Sequence, residues 1–125
     1  MTIDELLAQA RSRLERVDPQ AASVAMEGGA VLVDIRTERQ RAADGTVPTA
    51  LFIPHNVLEW RCDPTSSHPD ERIGAGLPVV VMCDVGYASS LAAATLRDLG
   101  VDATDLDGGF QAWRAAGLPV AQFRA

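Results

Sequence analysis

An open, mostly parallel α/β sheet of about five strands, with helices on both faces, is the fold class this 125-residue chain predicts. Three observations predict it. Short apolar runs at residues 31–35, 50–53, 79–82 and 104–106 are bounded by Gly, Pro or Asp, as buried parallel strands are. Helical stretches separate these runs, as βαβ crossovers require. The length suits one domain able to bury its own core without metal or disulfide support.

The elements follow in order. Thr2 is placed to cap a first helix, with Glu5 completing a capping box and Leu6, Leu7, Ala10, Leu14 and Val17 at helical spacing. Residues 1–17 therefore read as an N-terminal helical extension of a single domain spanning residues 1–125. Asp18 followed by Pro19 signals a second helix running through Met26 and ending at Gly28-Gly29. A brief helix is expected at residues 57–61, a longer one at 89–100 with a Ser cap and a terminal Gly, and a last one at 109–117. Phe110 and Trp113, at helical spacing, are expected to anchor that last helix to the sheet. Residues 62–77 carry Pro, Gly and Ser without periodicity and read as a surface loop that borders the site.

Charge and composition exclude several functions. A net charge of −6 opposes a nucleic-acid partner, because that affinity comes mainly from basic residues neutralising phosphates. Every basic side chain other than the two histidines is arginine, so mechanisms that need a lysine amine are excluded. The N-terminus alternates charged and apolar residues, and no run approaches the ~20 residues of a membrane span, which points to the cytoplasm. Two cysteines, Cys62 and Cys83, are too few for a disulfide framework and are expected to be thiols there.

Cys83 is the informative residue. The apolar run at 79–82 delivers it into a short loop, Asp84, Val85, Gly86, Tyr87, Ala88 and Ser89, that leads into a helix. Open parallel sheets bind ligands at the carboxyl ends of their strands, where the next helix offers free N–H groups and its positive dipole end. Such a place suits an anion and favours the nucleophilic thiolate form of a cysteine. Gly86 gives the loop dihedrals closed to other residues, so that several amides can turn toward one point. The plainer alternative for the same placement is a small buried hydrophobe.

Four motifs in order resemble the rhodanese-like family. Asp34-Ile35-Arg36 resembles its strand-ending Asp-x-Arg, and Gly45-Thr46-Val47-Pro48-Thr49-Ala50 resembles its Gly-His-Ile-Pro-Gly-Ala turn. The segment from Cys83 to Ser89 is similar to its Cys-x-x-Gly-x-x-Ser loop. Asp107-Gly108-Gly109-Phe110 with Trp113, then Gly117-Leu118-Pro119, resembles its closing signature. The resemblance implies a sulfurtransferase that carries sulfane sulfur as a Cys83 persulfide, from a small donor such as thiosulfate to a thiol, cyanide or protein acceptor. It implies no metal or organic cofactor; a monomer or weak dimer is expected.

The loop departs from the family in one respect that matters. Members active on thiosulfate often carry Arg or Lys there, where this chain has Asp84 and Ala88. A carboxylate beside a thiolate opposes it unless it is turned away, so Asp84 is expected to point outward to solvent. Arg36 and Arg61 are the candidates to supply the missing positive charge, although Arg36 also suits a buried structural partner of Asp34. Cys62 is not expected to act as a resolving thiol. Two rivals stand beside the enzyme reading: a low-turnover module that binds partners or senses persulfides, and a phosphatase or arsenate reductase of the same fold. The second is opposed by the absence of arginine between Cys83 and Arg97, because those enzymes grip phosphoryl oxygens with a loop arginine.

Overall fold

The protein is described here by a computed structural model over residues 1–74 and 76–124. Its elements are α1 (Ile3–Ser12), α2 (Pro19–Glu27), β1 (Val31–Asp34), α3 (Glu38–Asp44), β2 (Leu51–Phe52), α4 (Leu58–Cys62), β3 (Val79–Met82), α5 (Ala88–Asp98), β4 (Ala103–Asp105) and α6 (Gly109–Ala115), with a 3-10 turn at His55–Val57 before α4. The strands form one parallel sheet in the order β2-β1-β3-β4.

Strand alternation builds two cores from one sheet. Val33, Val79 and Val81 face α4 and α5, where they meet Leu58, Ala92, Ala93 and Leu96. Leu32, Val80 and Met82 face the opposite way, onto Ala22 of α2 and Phe110 and Trp113 of α6. With both faces covered, β3 is apolar at every position and fully buried, which is why its sequence reads as a continuous run. The buried Trp113 ring satisfies its N–H with the Pro119 carbonyl at 2.9 Å, so α6 and the segment after it lock together.

The described residues hold four strands rather than about five. The position beside β4 is taken by a single parallel bridge between Val17 and Leu106. Val17 was expected to continue the first helix, but α1 ends at Ser12, and Val17 instead gives its N–H to Asp105 O and accepts from Asp107 N. Asp18 then caps α2 at once through Ala21 N, leaving no room for a longer strand. One helix, α3, was not anticipated. Thr37 and Gln40 form a reciprocal capping box at its start, each bond 3.1 Å.

Among the described residues, the segment after α4 does not border Cys83. Residues from it line a cavity of about 170 Å³ together with Leu99–Asp102, at the entrance to β3 and β4, whereas Cys83 lies at the exit of β3. No helix among the described residues is long and apolar enough to cross a membrane.

Candidate active site

Cys83 follows β3 directly, and two loop amides close on its sulfur. Gly86 N donates to Sγ at 3.1 Å and Ser89 N at 3.3 Å. The second bond explains a departure from the expected Ser cap. Helix α5 begins at Ala88 with Tyr87 as its N-cap and no side-chain cap, because the Cys83 sulfur itself accepts one of the orphan first-turn amides. Ser89 is thereby freed, and its hydroxyl turns inward to Asp105.

The loop fits only with glycine at Gly86, whose φ is +90°. A Cβ there would stand 2.8 Å from Gly108 N and 3.2 Å from Arg16 Nη2. The start of α6 completes the enclosure: Phe110 N donates to Cys83 O and Gln111 N to Asp84 O. Gly109 must be glycine for the same reason, since a Cβ would come within 2.5 Å of Cys83 O. The Gly108-Gly109-Phe110 motif is thus the partner of the cysteine loop rather than a mere turn.

The remaining loop residues divide by direction. Val85 and Tyr87 are exposed and give the loop an apolar outer face. Asp84 is half-buried rather than turned freely to solvent. Its Oδ1 accepts from Gln111 Nε2 at 2.8 Å, which ties the carboxylate to α6, while the same nitrogen also donates to Asp44 of α3.

Neither arginine singled out by the sequence joins Cys83. Arg36 is 2% exposed, forks onto both Asp34 oxygens at 3.1 and 2.8 Å, donates to Gly45 O, and stacks 3.8 Å from the Phe110 ring centroid. Arg61 donates to His68 O and faces Asp70 at 3.9 Å, on the side of segment 62–77. Cys62 is buried at the end of α4. Burial first, then the charges of Asp70 and Glu59, push its thiol up to about 12, so it stays protonated and inert at neutral pH.

The sequence reading missed the positive charge that does reach the loop. Arg11 Nη2 and Arg16 Nη2 both donate to Gly86 O, at 2.7 and 3.0 Å. Arg16 also forks onto Asp105, a fully buried carboxylate that collects the hydroxyls of Ser89 and Ser90 at 2.7 and 2.8 Å. Burial works against the Arg16 charge, but the hydrogen bond and charge of Asp105, with Asp107 and the Cys83 sulfur, outweigh it and raise its pKa above the ordinary arginine value. The available sequence signal was Asp105, a carboxylate inside the run at 104–106 that was expected to be a buried strand.

The chain thus places a thiol at the mouth of a parallel sheet, held by loop amides near a half-buried guanidinium, an arrangement suited to cysteine-dependent group transfer. Comparison with known proteins narrows the class. Residues 18–116 match the rhodanese-like domain. The thiosulfate sulfurtransferase GlpE of Pseudomonas savastanoi pv. phaseolicola is 31% identical over 106 residues, 83% of this chain and 91% of that protein. The protein of the same name from Pseudomonas fluorescens (strain Pf0-1) is 37% identical over 106 residues, 82% of this chain and 87% of its own length. Among solved structures, a protein of unknown function from Rhodopseudomonas palustris CGA009, described as a possible tyrosine phosphatase, superposes with a TM-score of 0.86 at 32% identity. It covers 96% of this chain and 94% of its own. The chain belongs to the rhodanese-like domain family.

Proposed function

We propose that this protein moves sulfane sulfur through a persulfide on Cys83. The observation that carries the reading is the pair of amides, Gly86 and Ser89, donating to one sulfur at the exit of β3. In the forward half-reaction the Cys83 thiolate attacks the outer sulfur of a donor such as thiosulfate. The donor S–S bond breaks, and its electron pair leaves with sulfite. The new Cys83–S–S⁻ keeps its negative sulfur within reach of loop amides, which need no reorganisation to receive it. An acceptor thiolate or cyanide then takes the outer sulfur, and the bonding pair returns to Cys83. Each half-reaction breaks one S–S bond and forms one new bond to the transferred sulfur, so no external oxidant enters.

Support for thiosulfate as donor comes from the names of the GlpE relatives. We assign no donor-binding role to Arg36 or Arg61, whose guanidinium groups are committed elsewhere. The loop amides and the apolar rim of Val85 and Tyr87 meet the donor instead. We read the protein as a monomer or weak dimer acting in the reducing cytoplasm with both thiols free.

The description of the Rhodopseudomonas palustris neighbour favours a phosphatase as the second reading. Against it, the position six residues after Cys83, where a phosphatase loop closes with arginine, is Ser89, buried and bound to Asp105. The test is to incubate the protein with thiosulfate or polysulfide and weigh it intact. One added sulfur is expected on wild type and on Cys62→Ser, none on Cys83→Ser, and cyanide should remove it as thiocyanate. Equal uptake by wild type and Cys83→Ser sinks the assignment. Cleavage of a phosphate ester at rates above sulfur transfer establishes the phosphatase instead.

A further inference from the structure

The N-terminal segment that lies before the matched domain at residues 18–116 is built into the cysteine loop. Arg11, on α1, donates from Nη2 to Gly86 O and from Nε to Ser90 Oγ at 3.1 Å, and its guanidinium lies 5.3 Å from the Tyr87 ring centroid. Arg16, just past α1, grips the same Gly86 oxygen, with Asp105 holding it from behind and Asp107 at 3.1 Å from Nη1. Ser90 Oγ closes the set, donating to Asp105 at 2.8 Å and meeting Gly86 O at 3.3 Å. One backbone carbonyl thus receives two guanidinium groups from a segment some 70 residues away.

That carbonyl belongs to the Gly86–Tyr87 peptide. In a planar trans peptide the C=O and the following N–H point in opposite directions. Pulling Gly86 O toward the arginines therefore turns the Tyr87 N–H the other way. Tyr87 N makes no hydrogen bond among the described residues, in a loop where Gly86 N and Ser89 N on either side both reach Cys83 Sγ. Gly86 at φ +90° has little intrinsic preference to hold this peptide plane unaided, since glycine populates many. The fixed orientation must come from its partners.

We propose that Arg11 and Arg16 are positioning residues for sulfur transfer: they clamp the Gly86 carbonyl so that the Tyr87 amide stays free to receive the outer, anionic sulfur of the Cys83 persulfide. The inference rests on the sulfur-transfer reading above. It assigns the N-terminal extension a part in catalysis, with Arg11 and Arg16 acting through the backbone and touching no substrate.

Three variants test it, with wild-type sulfur loading of Cys83 confirmed first so that failure of the functional reading is seen separately. Arg11→Met removes one arm of the clamp without stranding a buried carboxylate, and its fold is checked by circular dichroism and thermal melting. Its kcat with thiosulfate and cyanide should fall about 10-fold, less than the ~100-fold usual for losing a direct anion donor, while KM for thiosulfate stays within about twofold. Arg11→Lys, which keeps a donor toward Gly86 O, should restore most of the rate. Arg16→Gln should lower kcat further. In a ¹H–¹⁵N spectrum the Tyr87 amide should move on sulfur loading of wild type and move less in Arg11→Met. Folded Arg11→Met and Arg16→Gln enzymes with wild-type kcat overturn the proposal. So does a Tyr87 amide that responds to loading identically in wild type and Arg11→Met.

Discussion

Two stretches of this chain, Asp34-Ile35-Arg36 and Asp70-Glu71-Arg72, fold into the same fork and differ only in where the fork stands. In the first, the Arg36 backbone N–H donates to Asp34 Oδ1 at 3.0 Å, Nε to the same oxygen at 3.1 Å and Nη2 to Oδ2 at 2.8 Å. In the second, the corresponding distances from Arg72 to Asp70 are 2.9, 3.0 and 2.6 Å. The Asp-x-Arg spacing brings a carboxylate and a guanidinium into bidentate contact, with the arginine's own backbone amide as a third donor. Location then sets what the fork does. The Arg36 side chain is 0% exposed, sealed under the Phe110 ring and carrying the Gly45 carbonyl, while the Arg72 side chain is 60% exposed. The first fork ties β1 to the turn after α3 and to the helix that backs the cysteine loop. The second fastens a surface segment.

Burial as the deciding factor yields the largest expected effect at Asp34. Asp34→Asn leaves the Arg36 guanidinium without its counter-charge where water cannot reach it, and Arg41, 3.4 Å from Asp34 Oδ2, loses the same partner. Removing one half of a buried pair costs about 3–5 kcal/mol, a large share of the ~5–15 kcal/mol that holds a domain together. Urea unfolding should show a midpoint lowered accordingly. Asp70→Asn at neutral pH should cost on the order of 1 kcal/mol, because the exposed Arg72 can turn to solvent. Equal losses at the two sites would break the comparison.

The second fork also carries a pH signature. The Arg72 hydrogen bonds, opposed by burial and helped by the charges of Arg72 and Arg61, hold the Asp70 carboxyl down at about 2. A carboxyl whose folded value lies below its unfolded one contributes stability that is fully present above about 4 and fades as pH falls toward 2. The stability gap between wild type and Asp70→Asn should therefore be constant from pH 5 upward and close between pH 4 and pH 2, as read from urea midpoints at each pH. A gap that persists unchanged at pH 2 would mean that Asp70 acts through packing and not through its charge.

Local forks were legible in the sequence, and long-range ones were not. The parallel sheet, the four strands, the cysteine at the end of β3 and the glycine behind it could all be read from short motifs, because each depends on neighbours within a few residues. Thr37 and Gln40 carried an equally local signal for α3 that the reading passed over. The Arg16–Asp105 pair is another matter: 89 residues separate its halves, and nothing near Arg16 marks it as different from the surface arginines of an amphipathic helix. The arginines that motif position did mark, Arg36 and Arg61, are held by Asp34 and by the segment after α4 instead. About five strands were expected and no run located the fifth; beside β4 the described residues hold only the Val17–Leu106 bridge, which the Asp18 cap of α2 ends at once.

The smallest expected effect is at Arg61, and it tests whether proximity in the family pattern or partners in space identify a functional arginine. Arg61 reaches Asp70 only at 3.9 Å, beside an Arg72 that already saturates both carboxylate oxygens, and its other contact is a carbonyl of the same surface segment. With 38% of its side chain exposed, its pairing energy is mostly screened by water. Arg61→Ala should therefore shift stability by no more than about 0.5 kcal/mol and leave sulfur loading of Cys83 unchanged. A rise in KM for thiosulfate with stability unaffected would show that Arg61 reaches the donor after all, through a movement of residues 62–77 toward the loop.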